Sequence, residues 1–404
     1  MKSERKIGLL LTGLAYLGFV SIGLPDGLNG VAWPSIRAEF RLPIDALGAL
    51  LVMTTSGYLV SSFSSGRLLA RMGVGALLAL SCAATAVSLI AYALAPAWWV
   101  MVAFGGLAGL GAGAIDAGLN TFAATHFSAQ RVNWLHAWYG IGALSGPVLM
   151  TALLERGHRW QSGYALVGLA QFVLAVGFGL TRRQWSDGSA MVATNEAARP
   201  ERAASILSTL RLPVVWFSIA VFFVYTGLEA TAGAWAYSLL TEARAVPVMT
   251  AGLWVSVYWG GLTAGRVVSA LMARRVPVRA WLRGCVIGQA VGAVLLWTDL
   301  SNLSSFGGLA LLGLASGPIF PSLIATTPAR LGERHTANGV GFQIAAAVLG
   351  QSLLPAFVGV LAQQFGLEII GPALLAAAVA LFALHEALDL RNHEPSSAPS
   401  GAAC

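Results

Sequence analysis

Runs of about twenty mostly apolar residues recur along the chain, and this feature constrains the fold more than any other. A helix of that length crosses the hydrocarbon core of a bilayer, where only helices and closed barrels satisfy their backbone polar groups. Hydrophobic residues make up 57% of the 404 residues and charged residues only 10%, which is too little polar surface for a soluble fold of this size. The sequence therefore predicts an all-α membrane protein whose surroundings are a lipid bilayer.

Twelve segments are candidates for transmembrane helices. The first lacks a clean cleavage site for a secretory signal, so we expect it to remain in the mature protein as a membrane helix. Pro318 and Pro321 predict a break in the tenth segment. The predicted segments are residues 7–33, 46–65, 74–95, 98–124, 135–154, 160–180, 212–239, 249–272, 281–299, 305–327, 337–362 and 368–389.

A polar stretch, residues 181–211, interrupts this series with arginines and acids that cannot lie in hydrocarbon. It predicts a cytoplasmic linker between an N-terminal six-helix bundle, residues 1–180, and a C-terminal six-helix bundle, residues 212–390. Residues 391–404 are rich in Ser, Pro and Ala and predict a disordered tail.

The 24 lysines and arginines are distributed unequally over the connectors. Most of them fall on one side of the predicted topology, and the positive-inside rule places that side in the cytoplasm. We therefore expect a multi-pass protein of the cytoplasmic membrane of a bacterium, with both termini in the cytoplasm.

The two halves of the sequence repeat each other at an offset near 200 residues. A group of glycines around one acid recurs in the first and seventh helices, where Asp26 aligns with Glu229. The glycine-rich residues 109–113 of the fourth helix recur as residues 313–317 of the tenth. The repeat predicts two pseudo-symmetric six-helix bundles, an architecture that is known among transporters.

Three acids fall well inside predicted helices: Asp26, Asp116 and Glu229. A charge at the bilayer centre costs roughly 2.5–3.5 kcal/mol on insertion scales, so each acid needs a structural or functional reason. One reason is a hydrogen bond between helices. The other is proton or substrate coupling, since burial disfavours the charged form of a carboxyl group. No lysine lies in a helix core and the arginines lie near helix ends, which favours proton coupling, with Asp116 as the first candidate.

Polar and aromatic side chains of the predicted helices are candidates for binding a solute. Indoles can stack on the apolar face of a sugar while amides bind its hydroxyl groups, although packing between helices is an alternative role for each residue. Without an embedded cation, neutral hydroxylated solutes or cations are expected in preference to anions. The candidates are Asn29, Trp33, Asn120, His136, Tyr139, Tyr225, Trp235, Tyr258, Gln289 and Gln343.

The segment Gly66-x-x-x-Ala70-Arg71-x-Gly73 is similar to the signature loop of the major facilitator superfamily. Ala70 stands where that family has an acid, and Val74-Gly75 stand where it has a basic pair. The segment Gly142-x-x-x-Gly146-Pro147 is similar to the family's Gly-Pro hinge. The resemblance extends over essentially the whole chain. It implies two bundles that rock about a central site, with these candidates for gating: Gly66, Arg67, Arg71, Gly142, Gly146, Pro147, Gly265 and Arg266.

Within the superfamily, the fourth helix with Asp116 and Asn120 resembles the fucose/glucose-type proton symporter branch. The segment Asn133-x-x-His136-x-x-Tyr139-Gly140 also resembles that branch. The resemblance implies a secondary active transporter that moves a small, sugar-like solute by alternating access with proton coupling. A proton-driven exporter of amphipathic drugs or metabolites is the alternative, followed by a non-transporting membrane sensor or scaffold.

The sequence carries no motif of an enzyme site. It has no Walker loop, no paired histidine spacing for a metal, and no basic segment interleaved with aromatic residues. We therefore expect no catalytic residue, no cofactor other than the coupling proton, no metal and no nucleic-acid partner. The expected partners are the small-molecule solute and the bilayer, and the expected state is a monomer.

Overall fold

The computed structural model describes residues 8–188, 204–272 and 275–393, and these residues are almost entirely helical, with no strand among them. Five helices form the N-terminal half: α1 (Leu9–Phe40), α2 (Leu47–Ala93), α3 (Trp98–His126), α4 (Ala129–Glu155) and α5 (Gln161–Thr181). The C-terminal half contains α6 (Ile206–Leu210), α7 (Pro213–Ser238), α8 (Val248–Met272), α9 (Val278–Thr298), α10 (Asn302–Ser316), α11 (Ile319–Leu331), α12 (Glu333–Phe365) and α13 (Ile370–His393).

Ten helical segments of the described chain are long and apolar enough to cross a membrane. One of them, Ile44–Ala93, is 50 residues long and breaks at Gly73, whose φ of 74° a residue with a side chain rarely adopts. This segment therefore holds the second and third predicted spans. Helix α8 is outside the ten because tyrosine, tryptophan and glycine dilute its apolar residues, yet it packs as the eighth helix. The predicted all-α fold of two six-helix bundles is confirmed.

Two of the predicted segments, the linker and the tail, lie partly outside the described residues. Positions 189–203 of the predicted linker and 394–404 of the predicted tail are not among them. Helix α13 continues to His393, slightly beyond the predicted start of the tail. The predicted break in the tenth span lies at Gly317 and Pro318, between α10 and α11.

The repeated glycines form seams where two helix backbones pack closely. A Cβ atom at Gly113 of α3 would lie 2.7 Å from the carbonyl oxygen of Tyr58 in α2. In the C-terminal half, a Cβ atom at Gly313 of α10 would collide with the carbonyl oxygen of Tyr258 in α8. The sequence repeat is therefore a repeat of helix packing.

The two bundles meet closely at one end, which we call the closed end. There the Arg37 Nη2 atom lies 2.7 Å from Glu242 Oε2, and the amide nitrogen of Ile44 donates to Gln363 Oε1 at 2.8 Å. The buried side chains at this end form one cluster to which both bundles contribute. Towards the opposite end, the open end, the N-terminal and C-terminal bundles have separate clusters. The space between the bundles therefore widens towards the open end.

Candidate functional site

The embedded acids lie at the depth where the shared core gives way to two separate cores. Asp26 lies in α1 between Phe19, in the N-terminal cluster, and Leu28, in the shared cluster. Glu229 lies in α7 at the corresponding place, beside Leu228 of the shared cluster. The aligned acids of the two repeats thus occupy equivalent positions on the two sides of the inter-bundle space.

Asp116 in α3 accepts hydrogen bonds from two neutral donors. Tyr58 Oη in α2 donates to Asp116 Oδ2 at 2.7 Å, and Asn120 Nδ2 donates to Asp116 Oδ1 at 2.9 Å. The glycine seam between α2 and α3 brings the Tyr58 ring to the carboxyl group. The sequence analysis paired Asp116 with Asn120 but missed Tyr58, whose only signal is a hydroxyl inside an apolar segment.

Asp26 is exposed to the space between the bundles and accepts a hydrogen bond from Tyr139 of α4, with an Oη–Oδ2 distance of 2.7 Å. From the other bundle, the guanidinium carbon of Arg266 lies 6.0 Å from the centroid of the Tyr139 ring, within the range of a cation–π contact. A residue of each bundle therefore contacts Tyr139.

Glu229 is buried, with 7% of its surface exposed, and its carboxyl group contacts the hydroxyl group of Tyr225 one turn earlier. Tyr258 Oη of α8 donates to the main-chain carbonyl oxygen of Glu229 at 2.7 Å. Arg266 and Asp26 lie near enough to interact electrostatically with the Glu229 carboxyl group. Among the described residues, Arg266 nevertheless forms no direct ion pair with it.

The position of Arg266 corrects the sequence analysis, which placed the helix arginines at helix ends. Arg266 precedes the last residue of α8, Met272, by about 9 Å along the helix axis, at roughly 1.5 Å per residue. It is half-buried, lies against the Tyr139 ring and is near enough to Glu229 for an electrostatic interaction, so the expectation of no cation near the acids is wrong. Hydropathy gives helix boundaries only to within several residues, which hides a displacement of this size.

Six candidates for solute binding are almost completely enclosed by protein in this conformation. Trp33 packs against Trp98 with ring centroids 5.5 Å apart, and Trp235 Nε1 donates to the carbonyl oxygen of Pro355 at 2.9 Å. The placement therefore gives no support to the expected stacking of these two indoles on a solute. The six enclosed residues are Trp33, Tyr225, Trp235, Tyr258, Gln289 and Gln343.

Two other candidates are accessible to different degrees. Asn29 is half-buried, and its Oδ1 atom accepts a hydrogen bond from Tyr164 Oη at 2.8 Å within the N-terminal bundle. His136 is exposed and meets the Phe19 ring edge to face at 5.3 Å, one turn closer to the open end than Tyr139.

The gating candidates fall into two groups. Arg67 and Arg71 are exposed near the break at Gly73, with Gly66 beside them. Apart from Arg266, described above, the others are packing positions: a Cβ atom at Gly142 would collide with the carbonyl oxygen of Val20 in α1, and one at Gly265 with that of Leu314 in α10. Gly146 likewise packs against α1, and Pro147 stays inside the continuous helix α4. Their role in gating stays a prediction.

We call the facing polar groups Asp26, Tyr58, Asp116, Tyr139, Glu229 and Arg266 the inter-bundle cluster. Ionisable groups inside a membrane protein are rare and mark paths for ions or solutes, and midplane sites between repeated bundles are typical of transporters. The fold and the cluster define a polytopic membrane transporter. The family model of the Major Facilitator Superfamily matches residues 15–230 and 217–403, and the chain belongs to this superfamily.

Individual proteins are similar to this chain over most of its length. Bypass of stop codon protein 6 of Saccharomyces cerevisiae is 24% identical over 409 residues, which are 93% of this chain and 82% of that protein. The glucose/mannose transporter GlcP of Bacillus subtilis is 22% identical over 363 residues, 87% of each chain. The crystal structure of a variant of the nucleoside transporter NupG has a TM-score of 0.76 and 12% identity, covering 94% of this chain and 100% of that one.

These comparisons confirm the predicted superfamily. Because the family and the structural neighbours are transporters, they also confirm the prediction that the protein is not an enzyme. The protein is a multi-pass membrane transporter.

Proposed function

We propose that the protein carries a neutral, hydroxyl-rich solute of sugar size together with a proton, by rocking its two bundles about the inter-bundle cluster. The distribution of basic residues supports a location in the cytoplasmic membrane of a bacterium, with both termini in the cytoplasm. The observation that carries the proposal is the pairing of Asp116 with the neutral donors Tyr58 and Asn120.

A carboxyl group with neutral partners can be either charged or protonated without losing all its hydrogen bonds. The Tyr58 hydroxyl and the Asn120 amide donate to Asp116 when it is ionised. When it is protonated, its own hydroxyl can donate to Tyr58 Oη, because a phenol oxygen both donates and accepts. An arginine in direct contact would instead hold the carboxyl group in its charged form. The environment of Asp116 therefore suits a group that binds and releases a proton in each cycle.

The inter-bundle cluster, together with Asn120 beside Asp116, suits a solute with hydroxyl groups. Asp26, Tyr139 and Asn120 offer carboxyl, phenol and amide groups beside the space between the bundles. The cluster holds three acids, Asp26, Asp116 and Glu229, against one cationic side chain, Arg266, so an anion would meet more carboxyl groups than positive charge. The relative GlcP, which aligns over 87% of each chain, is a glucose/mannose transporter. We therefore favour a hexose-like solute over an anion.

The test is uptake of labelled glucose and mannose by proteoliposomes with and without an imposed proton gradient. We expect the gradient to drive accumulation, and Asp116→Asn to abolish accumulation but retain exchange of solute across the membrane. Glu333→Gln, at an exposed acid at the start of α12, is the matched control and should accumulate solute like the unmodified protein.

Three results contradict the proposal. Full gradient-driven accumulation in Asp116→Asn would assign the coupling proton to another acid, and accumulation that does not depend on the gradient in the unmodified protein would remove coupling. Tight binding of a lipophilic cation, with no response to sugars, would replace uptake of sugars by export of amphipathic compounds.

A further inference from the structure

The hydroxyl group of Tyr225 lies between two hydrogen-bond acceptors. It contacts the Glu229 carboxyl group, and it lies 2.9 Å from the main-chain carbonyl oxygen of Ser316. Tyr225 and Ser316 are fully buried, so water does not reach either group. Tyr225 therefore links Glu229 in α7 to the last residue of α10.

The hydrogen atoms of this chain constrain its protonation state. A phenol has one hydrogen to donate, a main-chain carbonyl can only accept, and an ionised carboxylate can only accept. If Glu229 is ionised, the single hydrogen of Tyr225 serves one of the two acceptors and leaves the other without a donor. If Glu229 is protonated, it donates to Tyr225 Oη, and Tyr225 donates to Ser316. Only the protonated state satisfies both contacts.

The environment of Asp116 is the opposite case. Its two oxygens face one donor each, Tyr58 Oη and Asn120 Nδ2, so an ionised Asp116 is fully satisfied in this conformation. The two acids thus occupy complementary hydrogen-bonding environments, although both are embedded and both contact a tyrosine.

Ser316 lies at a place where a helix can change direction. It is the last residue of α10 and precedes Gly317 and Pro318. Carbonyl groups at a helix end lack partners within the helix. Tyr225 supplies a donor to the Ser316 carbonyl group, and Gln289 Nε2 of α9 donates to its hydroxyl oxygen at 2.8 Å. These two contacts fasten the end of α10 to its neighbours.

We propose that Glu229 is a second proton-binding site and that its proton determines whether Tyr225 holds the break between α10 and α11. When the O–H bond of Glu229 breaks, water in the inter-bundle space accepts the proton. The hydrogen of Tyr225 then turns to the carboxylate, and the Ser316 carbonyl group loses its donor. The inference rests on the proposed proton coupling and assigns that coupling a mechanical consequence in the C-terminal bundle.

The charged and titratable groups that face Glu229 allow both states. Arg266 and Tyr258 face it from α8, Asp26 from α1 and Tyr139 from α4. Arg266 stabilises the ionised form, whereas the nearby Asp26 carboxyl group disfavours a second negative charge. Because Arg266 makes no direct ion pair with Glu229 in the described structure, the proton can remain in this conformation.

Infrared difference spectroscopy of the purified protein tests the proposal, because a protonated carboxyl group has its own C=O band. At a pH where Asp116 is ionised, we expect such a band, complete loss of it in Glu229→Gln, and a shift of it in Tyr225→Phe. Tyr258→Phe is the matched control: its hydroxyl group contacts the main-chain oxygen of Glu229, so the band should stay in place.

The proposal is overturned if the band survives in Glu229→Gln, or if Tyr225→Phe and Tyr258→Phe have the same effect on it. Should Glu229→Gln fail to fold, the comparison of the two tyrosine variants still decides. The band should also persist in Asp116→Asn. If that variant accumulates solute normally while the Glu229 band behaves as expected, Asp116 fails as the proton carrier but the second site stands.

Discussion

Each embedded acid of this transporter contacts a tyrosine of its own bundle. A phenol brings a mostly apolar ring and one hydroxyl group that can donate or accept, which suits a carboxyl group that changes protonation state. Tyr58 belongs to another helix than Asp116, whereas Tyr225 lies one turn from Glu229 on α7. The three pairs are therefore chemically alike but differ in whether the tyrosine comes from the same helix as the acid or from a neighbouring one.

Arg244 offers a test of how burial changes the value of an ion pair. Only 4% of its side chain is exposed, and it contacts Glu368, Asp299 and Ser305 at the closed end. Arg244→Met should lower the free energy of unfolding by about 2 kcal/mol, since hydrogen bonds to charged groups contribute roughly 1.5–3 kcal/mol. Thermal unfolding of the purified protein, followed by circular dichroism, measures the effect.

Arg159 is the matched control at the same end. Its side chain is 72% exposed and contacts Glu39, and exposed pairs contribute about 0–1 kcal/mol. Arg159→Met should therefore change the unfolding temperature much less than Arg244→Met. Equal effects would show that enclosure does not set the strength of these pairs.

The sequence located the embedded acids but did not show which side chains face them. Asp26, Asp116 and Glu229 are recognisable because charges are rare in apolar segments. The sequence did not predict that Trp33 is enclosed by protein. A helix face that packs against other helices and a face that contacts lipid are equally apolar, so hydropathy does not distinguish them. Tyr58 contacts Asp116, and Arg266 approaches Tyr139, across helix interfaces, and those distances depend on packing that hydropathy does not encode.

At the scale of helices, glycines decide how closely neighbours approach. Helices α1 and α4 interlock through Gly23 and Gly27 on one side and Gly142 and Gly146 on the other. This contact holds Tyr139 against Asp26. The residues that resemble a hinge in the sequence are therefore also a seam inside one bundle.

A side chain at Gly142 should force this seam apart. A Cβ atom there would collide with the carbonyl oxygen of Val20, and overpacking typically costs 1–3 kcal/mol, so Gly142→Val should destabilise the protein by about 2 kcal/mol or more. Gly13→Val, in the same pair of helices, is the control because nothing lies within 4 Å of its Cβ position. Gly142→Val should unfold at a lower temperature than Gly13→Val. Similar unfolding temperatures would contradict the close packing of α1 against α4 at Gly142.

Helix number and order were predictable from sequence because length and hydropathy alone constrain a membrane span. The continuation of the second span into the third through Gly73 was not, since the polar residues around it resemble an ordinary connector. Proline predicted the break before α11 correctly. Its missing N–H removes a helical hydrogen bond in any environment, so this effect can be predicted from the sequence alone.

At the scale of the whole molecule, the shared core at the closed end is what the proposed alternating cycle has to open. Gly30 and Gly233 let α1 and α7 approach there, with a Cβ position on Gly30 only 2.6 Å from the carbonyl oxygen of Gly233. The sequence repeat predicted the symmetry of the bundles. It could not predict which end is closed, because one sequence serves every conformation of the cycle.

The ion pair between Arg37 and Glu242 joins the two bundles at the closed end and should bias the cycle. Its side chains are 26% and 25% exposed, so it contributes on the order of 1 kcal/mol or less. Arg37→Glu replaces this attraction with repulsion and should favour conformations open at this end by about fivefold, the factor that corresponds to about 1 kcal/mol. Distances between spin labels at positions 158 and 300, exposed at this end of each bundle, report the shift.

The double variant Arg37→Glu, Glu242→Arg restores opposite charges with reversed polarity, so its label distances should return to those of the unmodified protein. Arg159→Glu reverses a charge at the same end but pairs with Glu39 inside one bundle, and it should leave the distances unchanged. If Arg159→Glu opens the end as Arg37→Glu does, net charge rather than the pair controls opening. If the double variant stays open, the pair is not part of the gate, and the closed end is then held by the packing of α1 on α7 and by the contact between Ile44 and Gln363.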